Sequence, residues 1–316
     1  MAQVLTLSFA DVERLIDPVA TIDVLADGFK ALSAGQVQAP PRPLVSVPGK
    51  GVSLAMMAWM PGQLMSLKTV NVFHHNHEQG LPSHVAVIQL FDPGNGVPVA
   101  IMDGAVITGI RTAAAAMLTV RELARKDAKI ATVIGGGVQA RDHIRLLGAV
   151  RSLDEIRVVS RTREGAERAA KGIARTRVVT DVADAVRSSD IVCLTTSSDT
   201  PVIESGWIKP GTHITSVGFA PPGGELPRDL IPRATVYVEA RTAFSPAPVG
   251  CAELQGLDPA SGIEIGELMS GTRPGRTSAD QITIYKSMGN AMEDMVTANM
   301  VYRKAKEQGA GKLIEL

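Results

Sequence analysis

The segment Lys129-Ile-Ala-Thr-Val-Ile-Gly-Gly-Gly-Val-Gln-Ala-Arg-Asp-His143 constrains the fold more than any other part of the chain. An apolar run, Ile130 to Ile134, breaks at Gly135-Gly136-Gly137 and passes directly into a helix-forming stretch, Val138 to Leu147. Strand, tight turn and helix in that order open a dinucleotide-binding unit. Gly135 makes the turn, Gly137 lets the backbone approach a pyrophosphate, and Ala140 keeps the helix near the sheet. The first-turn N–H groups and the helix dipole receive the phosphate charge. A G-x-G-x-x-A match alone is unspecific, so its surroundings decide.

Those surroundings supply five further strands: Glu155–Ser160, Arg177–Thr180, Asp190–Thr196, His213–Val217 and Thr235–Glu239. Short β-branched runs separated by helical stretches mean crossover units and a parallel sheet. The cofactor is expected across the carboxyl ends of those strands, near Gly135, Ser160 and Thr195.

The end of the second strand discriminates between cofactors. A carboxylate there suits the ribose 2′-OH of NAD, and an arginine suits the 2′-phosphate of NADP. Here it reads Ser160-Arg161-Thr162-Arg163, with no acid before Glu164. A guanidinium grips a phosphate bidentately, and the Ser160 and Thr162 hydroxyls are expected to add donors. NADP(H) is favoured, with NAD(H) as the alternative; a solvated arginine pair is the plain structural reading.

Composition bounds the rest. The 316 residues suffice for two domains. A formal net charge of zero points to neither nucleic acid nor an anionic membrane surface. The 2 cysteines, Cys193 and Cys251, make no disulfide framework, and Cys193 sits in an expected strand as a small apolar residue. No secretory signal is visible at the N-terminus, and no stretch reaches the ~20 apolar residues of a membrane span. The expected location is the cytoplasm.

The first 120 residues read as a second α/β unit. Asp17-Pro18 is an N-cap and first-turn pair for a helix to about Ser33, stopped by Gly35. Pro40-Pro41-Arg42-Pro43 is extended and rigid. Strands are expected at Val52–Trp59, Leu64–Phe73, His84–Phe91 and Val97–Met102, then an alanine-rich helix at Val106–Arg125. At the far end Gln281–Lys306 reads as one long helix carrying Met288, Met292, Met295 and Met300, a stripe suited to core or subunit interface. Returning that helix to the N-terminal region makes the domain discontinuous. The expected division is 1–120 with 296–316 against a Rossmann domain at 121–295.

Three cations suggest a ligand. Lys68 sits in the mostly apolar strand Met65–Val72, Arg111 in an otherwise apolar helical stretch, and Arg42 between prolines. Such residues are seldom buried unpaired, so together they fit a carboxylate clamp. The structural alternative is that each snorkels to solvent or pairs with a carboxylate such as Asp103.

The chain resembles the ornithine cyclodeaminase/mu-crystallin family along nearly its whole length. The resemblance is carried by Leu67-Lys68-Thr69, Asn76 with Gly80-Leu-Pro-Ser83, Leu90-Phe-Asp92, Asp103-Gly104 and Thr108-Gly-Ile-Arg-Thr-Ala-Ala114. It continues in Gly135-x-Gly-Val-Gln-Ala140, Ser160-Arg-Thr162, Gly275-Arg-Thr-Ser278, Lys286-Ser-Met-Gly289 and Glu293-Asp294. It implies a Rossmann domain joined to a smaller, discontinuous α/β domain that binds substrate and forms a homodimer. It also implies NAD(P)(H) chemistry on small amino or imino acids. Arg42, Lys68 and Arg111 would contact the substrate carboxylate, and Thr112 the cofactor phosphates. Val138 and Gln139 belong to the cofactor loop, and Met288-Gly289 would line the nicotinamide pocket.

One departure matters. Cyclodeaminases resemble one another in a Gly-Ala-Asp-Ala-Pro-Gly type segment whose aspartate handles the substrate amine. The corresponding stretch here, Gly218-Phe-Ala-Pro-Pro-Gly-Gly-Glu-Leu226, has no aspartate, and Glu225 and Asp229 are poor substitutes. Ring closure with loss of ammonia needs that acid/base group, so the expectation is reduction of a preformed C=N bond in a cyclic or linear imino acid. Lys68 is then either the proton donor or only a charge anchor. Ornithine cyclodeamination, an alanine dehydrogenase-like activity and non-catalytic ligand binding are the alternatives. His74-His75-Asn76-His77 is read as a polar loop rather than a metal site.

Overall fold

The computed structural model describes residues 3–316, with only the backbone of His74 and His77. It divides into two compact units, residues 1–111 with 290–316 and residues 112–289. The divisions fall inside a helix and just before another, rather than at 120/121 and 295/296.

The chain opens with β1 (Gln3–Leu7), α1 (Phe9–Leu15) and α2 (Pro18–Ser33). Asp17 caps α2 by accepting from the N–H groups of Val19 and Ala20, Pro18 pre-sets the first turn, and Gly35 follows with φ 71°. A meander follows: β2 (Leu44–Val47), β3 (Gly51–Ala58), β4 (Met65–Val72), β5 (His84–Phe91) and β6 (Pro98–Asp103). Helix α3 (Ala105–Leu123) then carries the chain into the second unit.

That second unit contains β7 (Ile130–Ile134), α4 (Val138–Val150), β8 (Glu155–Val159), α5 (Arg163–Ala170), β9 (Thr176–Val178), α6 (Val182–Arg187), β10 (Ile191–Leu194) and β11 (His213–Ser216). It continues through β12 (Ala234–Val238), β13 (Ile263–Glu264), α7 (Ile265–Met269) and β14 (Ile282–Lys286). The eight strands lie in the order β13-β12-β14-β11-β10-β7-β8-β9, all paired in parallel. The order reverses beside β7, the switch point where dinucleotides bind in doubly wound sheets. Central strands such as β10 and β11 are buried along their whole length, as a sheet covered on both faces requires.

The chain then returns to the first unit through α8 (Ala291–Gln308) and β15 (Lys312–Glu315). That unit's sheet runs β15-β1-β6-β5-β4-β3-β2. Helix α8 lies against it and against α2: a Cβ built on Gly28 would fall 2.3 Å from the Met292 sulfur.

The single long helix expected over Gln281–Lys306 is a strand, a turn and a helix. Ile282-Thr-Ile-Tyr is a β-branched and aromatic run that joins the parallel sheet. Gly289 then turns the chain with φ 73°, and Asn290 begins α8 in a reciprocal capping box with Glu293. Met292 and Met295 are core residues of the first unit, whereas Met288 precedes the helix. Strands β1, β2 and β15 escaped the sequence reading; the last two are short, exposed edge strands with little apolar alternation. No helix among the described residues is long and apolar enough to cross a membrane.

The Asp17 cap gives a simple check on the first unit. Asp17→Ala should cost about 1 kcal/mol, read as a lower urea midpoint with an unchanged m-value. No change in midpoint would show that water replaces the cap.

Candidate active site

Space at the glycine turn is rationed residue by residue. Gly135 has φ 145°, and a Cβ there would lie 2.2 Å from Thr195 Oγ1. Thr195 is itself tied to β7, since its N–H and hydroxyl both donate to the Ile134 carbonyl, at 2.9 and 2.8 Å. Gly136, to which the sequence reading gave no role, is equally constrained: a Cβ would meet Ser160 Oγ at 2.7 Å and the Gly165 backbone at 2.9 Å. Gly137 differs. A Cβ there would meet nothing within 4 Å, and Gly137 caps α4 with no side-chain hydrogen bond to its first turn. That turn begins at an exposed Gly137 and Val138, and a helix N-terminus of this kind can receive an anion. The residues present therefore fit a dinucleotide pyrophosphate.

At the end of β8, Arg161 is exposed and has no ion-pair or hydrogen-bond partner among the described residues. The hydroxyls on either side also make local bonds. Ser160 Oγ donates to the Thr162 carbonyl at 3.1 Å, and Thr162 Oγ1 caps α5 by accepting from Gly165 N–H at 3.2 Å.

The carboxyl ends of the central strands are fixed by two buried glutamates that the sequence reading did not place. Glu239, just after β12, accepts from Tyr285 Oη, Ser287 Oγ and the N–H groups of Met288 and Gly289, at 2.6–3.1 Å. It pins the Met288-Gly289 turn. Glu225 accepts from Thr196 N–H and Oγ1, Ser216 Oγ and Gly218 N–H, at 2.7–3.0 Å. The 218–226 stretch is thus held from beneath by its own glutamate. Thr112, the first residue of this unit, is buried on α3.

In the first unit, Lys68 and Arg111 converge on α8. Lys68 Nζ lies 2.9 Å from both carboxylate oxygens of Asp294. Arg111 Nε donates to Asp294 Oδ1 at 3.1 Å, and its Nη1 to Glu293 Oε2 at 3.2 Å. Glu293 Oε1 meanwhile accepts from Asn290 N–H in the capping box, so helix initiation and charge pairing share one side chain. Lys68, Glu293 and Asp294 are at most 1% exposed and Arg111 5%. The pairing with a carboxylate that the structural alternative foresaw is thus present for both cations, but Asp103, its example, instead caps α3 by accepting from Val106 N–H at 3.0 Å. The sequence signal for the true partners was two acids in the first turn after Asn290.

Burial and charge set the proton affinities here. Desolvation is the largest influence on Lys68 and lowers its pKa; Asp294 pulls it back up, Arg111 pushes it down, and the result is about 8. Burial alone would raise the Asp294 carboxyl, but Arg111 and then Lys68 outweigh it and hold Asp294 below its ordinary value.

Arg42 is half-buried on the extended segment alongside β3. The Pro43 carbonyl accepts from Ala55 N–H, and Met56 pairs with Lys68 across β3 and β4. Arg42 is therefore about two strand spacings, roughly 10 Å, from Lys68 at the backbone. In the histidine segment, His75 is exposed and pairs with Glu78 at 2.8 Å, while the side chains of His74 and His77 lie outside the described residues.

Switch-point sheet and buried ion cluster together define a Rossmann-class protein with a second α/β unit specialised around charge. The family model for the ornithine cyclodeaminase/mu-crystallin family matches residues 2–309, and the chain belongs to that family. It is 35% identical to the ketimine reductase mu-crystallin of Rattus norvegicus over 292 residues, 91% of each chain. The solved Delta(1)-pyrroline-2-carboxylate reductase of Thermococcus litoralis, in complex with NADH and L-proline, superposes with TM-score 0.93 at 31% identity, covering 98% of this chain and 100% of that one. An archaeal alanine dehydrogenase dimer with bound NAD gives TM-score 0.88 at 29% identity, with both chains fully covered.

Asp294→Asn should destabilise the protein by about 3–5 kcal/mol, because two buried cations lose their shared counter-charge. Chemical denaturation measures this. A cost below about 1 kcal/mol, typical of exposed pairs, would mean that water reaches the cluster.

Proposed function

We propose that this chain is an NAD(P)H-dependent reductase of small cyclic or linear imino acids, delivering hydride to a C=N bond. The observation that carries this reading is the Lys68–Asp294–Arg111 cluster. It presents a buried lysine with a proton affinity near neutrality in a chain that also carries a dinucleotide-binding sheet. The named relatives, a ketimine reductase and a pyrroline-2-carboxylate reductase, support it.

In this reading Arg42, Lys68 and Arg111 take the substrate carboxylate. Asp294 pairs with both Lys68 and Arg111, and Glu293 with Arg111, so the two acids hold these cations in place. Lys68 also donates the proton that makes the imine nitrogen electrophilic. Its lowered pKa leaves it protonated at neutral pH yet able to release the proton. Asp294 keeps the ammonium oriented through both carboxylate oxygens. Gly135, Gly137, Val138, Gln139 and Thr112 hold the cofactor phosphates, Thr195 borders them, and Met288-Gly289 lines the nicotinamide side. When bound there, the reduced nicotinamide supplies the hydride. Ser160, Arg161 and Thr162 face the adenosine ribose, and the unpartnered Arg161 selects NADPH over NADH. The cyclodeaminase alternative is disfavoured because Glu225 is committed to four donors and no aspartate stands in the 218–226 stretch.

A homodimer fits the first unit's sheet. Val45, Met57, Val85 and Val87 are exposed on the face opposite the one bearing Lys68, an apolar surface suited to a second copy.

The direct test mixes protein with Δ1-pyrroline-2-carboxylate and NADPH, with L-ornithine plus NAD in parallel. Proline formed with NADPH oxidation is expected; ammonia and proline from ornithine would overturn the reading. In the reductive direction kcat/KM should fall as pH rises through about 8, where Lys68 loses its proton. Lys68→Met should lower it by about 10²–10⁴-fold and abolish that limb. If the limb survives in Lys68→Met, another group is the donor. Arg161→Ala should reduce the NADPH/NADH preference by about tenfold; an unchanged preference removes Arg161 from cofactor selection.

A further inference from the structure

Beneath the carboxyl ends of β10, β11, β12 and β14 lie four buried charged groups: Glu225, Glu239, Glu253 and Lys286, each at most 4% exposed. Two of them cancel. Lys286 Nζ is 3.0 Å from Glu253 Oε1 and also donates to Ser216 Oγ and the Gly218 carbonyl, at 3.2 and 2.7 Å. Glu225 and Glu239 do not cancel. Each is held by neutral donors only, hydroxyls and backbone N–H groups, with no cation in ion-pair distance among the described residues. Both oxygens of each carboxylate accept from a backbone N–H, a group that can only donate, which suits a carboxylate that serves as acceptor on both oxygens. Buried charge without a counter-ion is costly. Fixing a turn needs only a neutral acceptor, so its retention calls for a further role.

Their position supplies one. In the strand order β12-β14-β11-β10-β7-β8, the pyrophosphate turn follows β7 and the ribose-binding end follows β8. The other half of a dinucleotide lies on the far side of the switch point, over β10, β11 and β14. Glu239 bonds directly to the Met288 and Gly289 backbone there, and Glu225 to the backbone after β10 and β11. The nicotinamide ring is neutral when reduced and cationic when oxidised. Two fixed negative charges in a poorly screened site favour the cation.

We propose that Glu225 and Glu239 set the redox bias of the bound cofactor, making the protein bind the oxidised dinucleotide more tightly than neutral surroundings would and so strengthening the reduced form as a hydride donor. Hydride loss from the dihydronicotinamide creates the ring charge, and these carboxylates are in place before it appears. Both act as positioning residues and as fixed charges, without touching the substrate. The inference rests on the dinucleotide reading above.

The test is equilibrium binding without turnover. Dissociation constants for NADP⁺ and NADPH are measured by calorimetry on wild type, E239Q, E225Q and the doubly neutralised K286M/E253Q, each checked for folding by circular dichroism. Glutamine keeps an acceptor but removes the charge. The ratio Kd(oxidised)/Kd(reduced) should rise about tenfold in E239Q or E225Q, the scale of one charge acting through a protein-like dielectric. K286M/E253Q removes one charge of each sign and should leave the ratio within about twofold. If E239Q does not fold, E225Q decides alone. Equal weakening of both forms, with the ratio unchanged, would reduce the glutamates to scaffolding and overturn the inference. Absence of binding of either dinucleotide, NAD(H) included, to wild type would instead overturn the dinucleotide reading.

Discussion

The pairing of Lys68 and Arg111 with Asp294 and Glu293 is the interaction on which the first unit depends. Two cations from β4 and α3 are buried, and both pair with acids of α8. The acids arrive from a helix more than 180 residues later, so α8 must return to the N-terminal sheet for either side to be buried at all. Breaking such a group leaves uncompensated charge in a dry interior. The discontinuous organisation is therefore an electrostatic requirement as much as a packing preference. The same pairing sets the proton affinity of Lys68, because Asp294 raises it while burial and Arg111 lower it.

The second unit solves a different problem, namely holding irregular backbone still at the ends of parallel strands. Glu225 and Glu239 gather donors from residues that adjoin in space through strand order, not sequence. Glycines let these contacts close up. A Cβ on Gly218 would lie 2.4 Å from the Thr196 carbonyl oxygen, and one on Gly224 2.0 Å from Glu253 Oε1. The Gly135 turn packs as tightly against Thr195, so this rim is held by contacts within the protein. Such preorganisation lowers the ordering cost of binding.

Much of this was legible in the sequence because the signals were local. The glycine turn, the alternating strands and the Asp17-Pro18 helix start each depend on residues a few positions apart, and the structure places them where those signals lie. What escaped was non-local. The methionine spacing after Gln281 outweighed the β-branched run Ile282-Thr-Ile, whose strand character depends on a slot between β11 and β12 that only the assembled sheet provides. Lys68 and Arg111 stood out as misplaced cations, yet their partners could not be chosen from the sequence, where Asp103 was nearer and Asp294 correct. Glu239 showed nothing as a lone acid after a strand; its importance comes from four donors contributed by the next strand and turn.

The buried cations are assigned to a substrate carboxylate, and one comparison isolates that assignment. Steady-state NADPH oxidation would be followed with Δ1-pyrroline-2-carboxylate and with Δ1-pyrroline, which has the same ring and C=N bond but no carboxylate. Turnover of the first with kcat/KM at least about a thousandfold above the second is expected for a desolvated, charge-paired anchor. Comparable values for the two would contradict the carboxylate clamp and leave Lys68 and Arg111 as structural ions.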